Sequence, residues 1–162
     1  RSVVESCLTV LTGGPGTGKT YTLVRSIAVF ACDFIERNDR QPKVAVCAPT
    51  GKAADRAGEL IRDFVAKAGV LSDDLDVPVE VVDSLRAIEP VTIHRLLGRD
   101  GRSLAGFRHG PDRHIEADLL VVDETSMVPL ALMAALLSAI RDETSLLLVG
   151  DDAQLEIGRA HV

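Results

Sequence analysis

Cysteine is scarce in this chain, positive charge is in deficit, and no apolar run reaches the roughly 18 residues that a membrane-spanning helix needs. The three cysteines, Cys7, Cys32 and Cys47, lie far apart in apolar surroundings. A zinc site or a disulfide framework would want closer, paired spacing, so they read as plain buried thiols in a reducing compartment. The net charge is -6, from 24 acidic and 18 basic residues, which argues against a nucleic-acid binder acting through bulk positive charge. A protein that grips a backbone through a few loop groups stays open. No secretory signal opens the chain. It starts at Arg1 rather than at methionine, which suggests a segment of something longer. The length, 162 residues, is enough for one domain with a sizeable core.

What is present is an alternation of strand and helix patterns. Leu8 to Thr12 is a short apolar run that ends in glycines, and Leu23, Val24, Ile27, Ala28, Ala31, Phe34 and Ile35 then recur at helical spacing. Lys43 to Ala48 reads as a second strand closed by Pro49, and Ala53 to Ala68 as a second helix stopped by Gly69. Residues 70–90 are acidic and irregular, and read as an insertion on the rim with one short helix around Val81 to Ile88. A turn of helix near His94 to Leu97 leads into residues 98–114, rich in Gly, Arg and His, which read as a loop excursion. Leu119 to Val122 and Leu146 to Val149 read as buried strands, with a helix at Leu130 to Ile140 between them. Such alternation implies an α/β fold whose parallel sheet is flanked by helices. Ligands of such sheets bind beyond the carboxyl ends of the strands, where Gly13, Pro49, Asp123 and Gly150 all fall.

The strongest motif is Gly13, Gly14, Pro15, Gly16, Thr17, Gly18, Lys19 and Thr20, which fits G-x-x-x-x-G-K-[ST] between a strand and a helix. Glycines let the backbone curl so that its N–H groups face phosphates, and the helix N-terminus adds a favourable dipole. Lys19 is then placed for the β- and γ-phosphates of ATP, and Thr20 for magnesium. At Leu119 to Glu124 an apolar strand ends in two adjacent carboxylates. Asp123 is suited to hold the magnesium, directly or through water, and Glu124 to orient the attacking water. Leu146 to Gln154 releases a polar loop from a buried strand, where Gln154 can donate and accept hydrogen bonds and so register a terminal phosphate.

Two further loops carry weaker signals. Thr50 and Lys52 follow the second strand, and Thr92, His94 and Arg95 come later; these groups could hold a nucleic-acid phosphate, or could be ordinary helix caps. His109, His114 and His161 show no ligand spacing.

Taken in order, these elements resemble superfamily 1 helicases of the RecD group, best known as the alpha subunit of bacterial exodeoxyribonuclease V. Gly13 to Thr20 is similar to helicase motif I, Ala48 to Ala54 (APTGKAA) to motif Ia, and Thr92 to Gly98 (TIHRLLG) to the motif Ib region. Asp123 to Met127 (DETSM) resembles motif II, with Thr125 a departure from the more usual DEAS, and Gly150 to Leu155 (GDDAQL) resembles the start of motif III. Phe107, Arg108 and His109 also look like the exonuclease subunit's pattern.

The resemblance covers about Leu8 to Leu155 and implies a P-loop NTPase fold, a RecA-like ATP-binding helicase domain over residues 1–155 that is truncated before its last strand or strands. It implies ATP and magnesium as cofactors, 5′ to 3′ movement on single-stranded DNA, and a bacterial cytoplasmic setting without a membrane. It also implies the beta and gamma subunits of exodeoxyribonuclease V as partners. Lys19, Thr20, Asp123, Glu124 and Gln154 would form the nucleotide site, with Thr50, Lys52, Thr92 and His94 near DNA. The strand ending at Gly150 would lie between the phosphate-loop strand and the Asp123 strand.

A motor of this class hydrolyses ATP between two RecA-like domains, so residues 1–162 alone are expected to bind nucleotide weakly and not to unwind DNA. The outer side of Leu8 to Thr12 is expected to be an open apolar edge. Residues 156–162 depart from the family pattern. One reverse translation, GAG ATC GGA AGA GCA CAC GTC, resembles a short-read sequencing adapter, and the tail is expected to be non-native. The rival readings are the helicase domain of a plasmid-transfer relaxase, another P-loop ATPase such as an AAA+ remodeller, and a nucleotide-binding assembly module without turnover.

Overall fold

Strands of two to six residues build a parallel sheet, seen here in a computed structural model that describes residues 8–13, 18–68, 77–99 and 106–151. The strands are β1 (Leu8–Thr12), β2 (Val44–Ala48), β3 (Val91–Thr92), β4 (Leu119–Val122) and β5 (Ser145–Gly150). The helices are α1 (Lys19–Asn38), α2 (Gly51–Ala68), α3 (Val79–Arg86), α4 (Ile93–Leu97) and α5 (Leu130–Ser138). The sheet order is β1-β5-β4-β2-β3, and each neighbouring pair is parallel. β5 therefore lies between β1 and β4, as the sequence resemblance implies.

All four residues of β4 are buried, because helices cover both faces of the sheet. Leu119 and Val121 join Leu23, Ile27, Val46, Ile61 and Leu147 under α1, α2 and α3. Leu120 and Val122 join Cys47, Ile93, Leu97 and Leu136 under α4 and α5. The two-residue period of the strands sends alternate side chains to the two cores. At the β1 edge Leu8 and Val10 stay exposed.

Three elements differ from the sequence expectation. The region expected on the rim contributes α3, whose Val81, Ser84 and Leu85 are buried. Val81, Leu85 and Ile88 recur at helical spacing and pack into the same core as α1 and α2. The acidic composition around them hid that apolar stripe; residues 70–76 lie outside the described part. β3 has no counterpart in the sequence pattern, because a two-residue strand is too short to show a period. The excursion after α4 is tied down by antiparallel bridges Arg99↔Phe107 and Gly110↔Arg113, with Phe107 packed against the α4/α5 core. Helix boundaries also shift by up to two residues: α2 starts at Gly51 and α5 stops at Ser138.

At the amino-terminal edge of the sheet, Arg40 grips Asp118 with both guanidinium nitrogens, at 2.9 and 2.8 Å. The same carboxylate accepts the Lys43 backbone N–H at 2.7 Å. The Arg40 guanidinium also lies over the Phe34 ring, 4.6 Å from its centroid. This cluster fastens the starts of β2 and β4 together.

Candidate nucleotide site and the adjoining loops

The register fixes what meets at the opposite edge. Thr12 pairs with Gly150, Val122 with Leu148, and Cys47 with Val122, so the carboxyl ends of β1, β5, β4 and β2 stand in a row. The loops after them begin with Gly13, Asp151, Asp123 and Pro49. The ladder even runs one step past β4, where the Asp123 N–H donates to the Cys47 carbonyl at 2.9 Å.

α1 starts at Gly18, whose φ of 78° and ψ of 16° lie in the left-handed region. A residue with a Cβ is disfavoured there by its backbone rather than by crowding, since nothing lies within 4 Å of a Cβ built on it. The Thr22 N–H donates to the Gly18 carbonyl at 3.0 Å and opens the helix. Gly18 offers α1 no side-chain cap, and the first turn holds no acid, so among the described residues neither a cap nor a first-turn acid offsets the positive end of this 20-residue helix. Lys19 donates through Nζ to the Gly13 carbonyl and stands 3.6 Å from the Asp151 carboxylate. Gly14, Pro15, Gly16, Thr17, the Thr20 side chain and Gln154 lie outside the described residues, as do residues 156–162.

Asp123 is half-buried, and desolvation raises its carboxyl pKa above the ordinary aspartate value. The Glu124 N–H, Arg56 and Lys19 act in the opposite direction. The Glu124 N–H bond is 2.8 Å long. Glu124 itself has φ 51° and ψ 42°, a left-handed conformation seldom adopted by a residue with a long side chain. The short 3-10 turn Thr125–Met127 follows, with the Met127 N–H donating to the Glu124 carbonyl at 2.9 Å. Strain of this kind is held in place by its surroundings, here by Thr125, whose hydroxyl donates to the Val149 carbonyl across to β5. A Cβ on Gly150 would sit 3.3 Å from that hydroxyl, so glycine lets the two loops approach.

Thr50 follows β2 and Thr92 ends the neighbouring β3, where it pairs with Ala48. Each caps a helix: the Thr50 hydroxyl accepts the Ala53 N–H and the Thr92 hydroxyl accepts the Arg95 N–H, both at 3.2 Å. Each hydroxyl still has its own proton to donate. Lys52, His94 and Arg95 are exposed beside them, and the His94 ring lies 6.0 Å from that of Phe107. Among the described residues no cluster of three or more His, Cys, Asp or Glu has the geometry of a metal site. Cys47 is buried, and burial pushes its thiol up to about 12.

Sequence reasoning missed two charged groups at this edge. Asp151 is only 5% exposed and partners Lys19, whereas the sequence drew attention to Gln154 three residues on. Arg56 acts on Asp123 from α2; the only sequence signal was a cation among the buried alanines Ala53, Ala54 and Ala57.

With this geometry in place, similarity to known proteins decides the family. The family described as AAA domain matches residues 1–158. The chain belongs to that family. Among curated relatives of this AAA-domain chain, the RecBCD enzyme subunit RecD of Mycolicibacterium smegmatis is 44% identical over 148 residues, covering 91% of the chain and 25% of the relative. The RecBCD enzyme subunit RecD of Haemophilus influenzae is 36% identical, covering 95% of the chain and 23% of the relative. The ATP-dependent RecD2 DNA helicase of Deinococcus radiodurans is 39% identical, covering 91% and 16%. The AAA-domain chain is thus homologous to RecD-type helicases and spans about a quarter or less of their length. At the family level this supports an ATPase and helicase function. No helix among its described residues is long and apolar enough to cross a membrane.

Proposed function

We propose that the chain is the ATP-binding part of a 5′ to 3′ DNA helicase of bacterial recombinational repair, in which ATP hydrolysis drives movement along single-stranded DNA. The observation that carries this reading is the row of loops at one sheet edge, where Lys19 pairs with Asp151 and Asp123 ends the neighbouring strand β4. The donor set fits magnesium ATP. It offers the half-buried Asp123 carboxylate with its hard oxygens, one lysine and an uncapped helix amino terminus, and magnesium typically binds through one or two carboxylates plus phosphates. Bound magnesium ATP supplies the electrophilic terminal phosphate and its leaving group.

The chain's own residues then divide the work. Residues Gly13 to Gly18 and the start of α1 bind phosphate through backbone N–H groups. Lys19 would neutralise the β- and γ-phosphates, and Thr20 with Asp123 would hold the metal. Glu124, held in its unusual backbone conformation, orients a water and takes its proton, and Gln154 registers the terminal phosphate. Thr50, Lys52, Thr92, His94 and Arg95 contact the DNA backbone, with the two threonine hydroxyls donating to phosphate while they cap their helices.

The relatives named as RecBCD subunits make a complex with the beta and gamma subunits of exodeoxyribonuclease V, in the cytoplasm, the leading assembly. The Deinococcus relative, named as a helicase in its own right, supports a stand-alone enzyme as the second reading. The test is steady-state ATP hydrolysis by the full-length protein with and without oligo-dT. DNA-stimulated hydrolysis is expected, and Glu124→Gln should lower its rate by about 100-fold or more while leaving nucleotide binding in place. Hydrolysis indifferent to DNA, or unchanged in Glu124→Gln, would refute the reading.

A further inference from the structure

Strand β4 pairs with β5 as far as Val122 and Leu148, where the backbone ladder between them stops. Beyond that point Thr125 makes the next connection, its hydroxyl donating to the Val149 carbonyl. The turn that carries Glu124 is closed on itself by backbone bonds. The Met127 N–H donates to the Glu124 carbonyl at 2.9 Å, and the Val128 N–H to the Thr125 carbonyl at 3.1 Å. The Thr125 hydroxyl adds a bond from this turn to a second strand.

The two segments are in close contact. A Cβ built on Gly150 would lie 3.3 Å from the Thr125 hydroxyl and 3.6 Å from the Ser126 backbone nitrogen, so the β5 backbone runs directly against the turn. Val149 is buried, which leaves water poorly placed to replace the hydroxyl. Two residues further on, Asp151 pairs with Lys19 at 3.6 Å. β5 therefore stands between the turn of Glu124 and the lysine assigned to the phosphates, and Thr125 fastens the turn to it. The left-handed backbone of Glu124, with φ 51° and ψ 42°, persists only where surrounding structure holds it. The Asp-Glu-Ala-Ser pattern that Asp123 to Ser126 resembles has a methyl group in place of this side chain, so the bond comes from this chain's own sequence.

We infer that Thr125 is a positioning residue for hydrolysis: by bonding Val149 across to β5, it holds Glu124 at a fixed place relative to Lys19. The inference rests on the proposed function, in which Glu124 orients the attacking water. Thr125 itself need touch neither nucleotide nor water. It supplies a register between two loops, and a misplacement of about 1 Å is enough to slow an aligned reaction strongly. Nucleotide binding draws on other groups, namely Lys19, Thr20 and the backbone of the phosphate loop. It should not depend on the hydroxyl.

The test is steady-state ATP hydrolysis with oligo-dT by the full-length protein, alongside its affinity for a non-hydrolysable ATP analogue. Thr125→Val keeps the shape and removes the donor. It should lower kcat by about 3- to 10-fold, the worth of one net hydrogen bond, with KM and analogue affinity within about 2-fold of wild type. Thr125→Ser keeps a hydroxyl and should restore most of kcat. In a Glu124→Gln background, Thr125→Val should lower the residual rate by less than about 2-fold, because the group it positions is already disabled.

An unchanged kcat in Thr125→Val would overturn the inference. So would equal losses of kcat and analogue affinity, no rescue by Thr125→Ser, or a full further loss in the Glu124→Gln background, each of which marks a merely structural side chain. If Thr125→Val does not fold, Thr125→Ala carries the same prediction. A wild-type protein without DNA-stimulated hydrolysis, or one indifferent to Glu124→Gln alone, would instead refute the proposed function, and the inference with it.

Discussion

Strand β4 is bracketed by two aspartates with opposite surroundings. Asp118, just before the strand, accepts two bonds from Arg40 and one from the Lys43 N–H. Those partners hold its carboxyl pKa below the ordinary value, the Arg40 hydrogen bond contributing most. Asp123, just after the strand, has a single close N–H at 2.8 Å, and burial raises its pKa. Lys19 at that end stands 3.6 Å from its acidic partner, where Lys43 at the other end is 2.8 Å from Glu116. The same side chain therefore does two jobs, depending on how completely it is paired. Paired charge at the amino edge closes the fold, whereas at the carboxyl edge burial disfavours the charge of Asp123, as expected where a cation is to be bound.

Substitutions at the two ends should separate these jobs. The largest effect is expected from Lys19→Ala in the full-length protein. Loss of a charge-assisted bond to phosphate should weaken magnesium-ATP binding by about 10- to 100-fold, measured by titration calorimetry, with little change in melting temperature. A matching loss of stability would mean that Lys19 is mainly a structural partner of Asp151.

Next comes Asp118→Ala, which should cost about 1–2 kcal/mol in denaturant unfolding and leave nucleotide affinity unchanged. The depressed pKa gives this loss a pH window. The stabilisation is complete above the unfolded aspartate's pKa, about 3.9, and fades as pH falls through the lower folded value. Wild type and variant should therefore converge in strong acid, and a constant gap would break the comparison.

The smallest effect on stability is expected from Asp123→Asn, and it has the opposite sign. A raised carboxyl pKa means that the folded state penalises the charge: fully above the folded pKa, and not at all below the unfolded one. The amide keeps an oxygen for the Glu124 N–H. The nucleotide-free variant should melt about 1–2 °C above wild type at neutral pH and show no difference in strong acid, while losing hydrolysis. A drop in melting temperature would show that the Asp123 charge stabilises its surroundings.

The sequence by itself determined the strand–helix alternation, the end of each long element to within two residues, and the loops that carry Lys19, Asp123 and Glu124. These are local matters of period, turn chemistry and motif spacing, and each is written in a few consecutive residues. Only the tertiary structure decided which charges meet. Asp151 finds Lys19 because β5 inserts beside β1, Asp123 bonds Cys47 because β2 lies next to β4, and α3 is core because α1 and α2 supply its other walls. Each depends on the order of strands far apart in the chain, which no local pattern encodes.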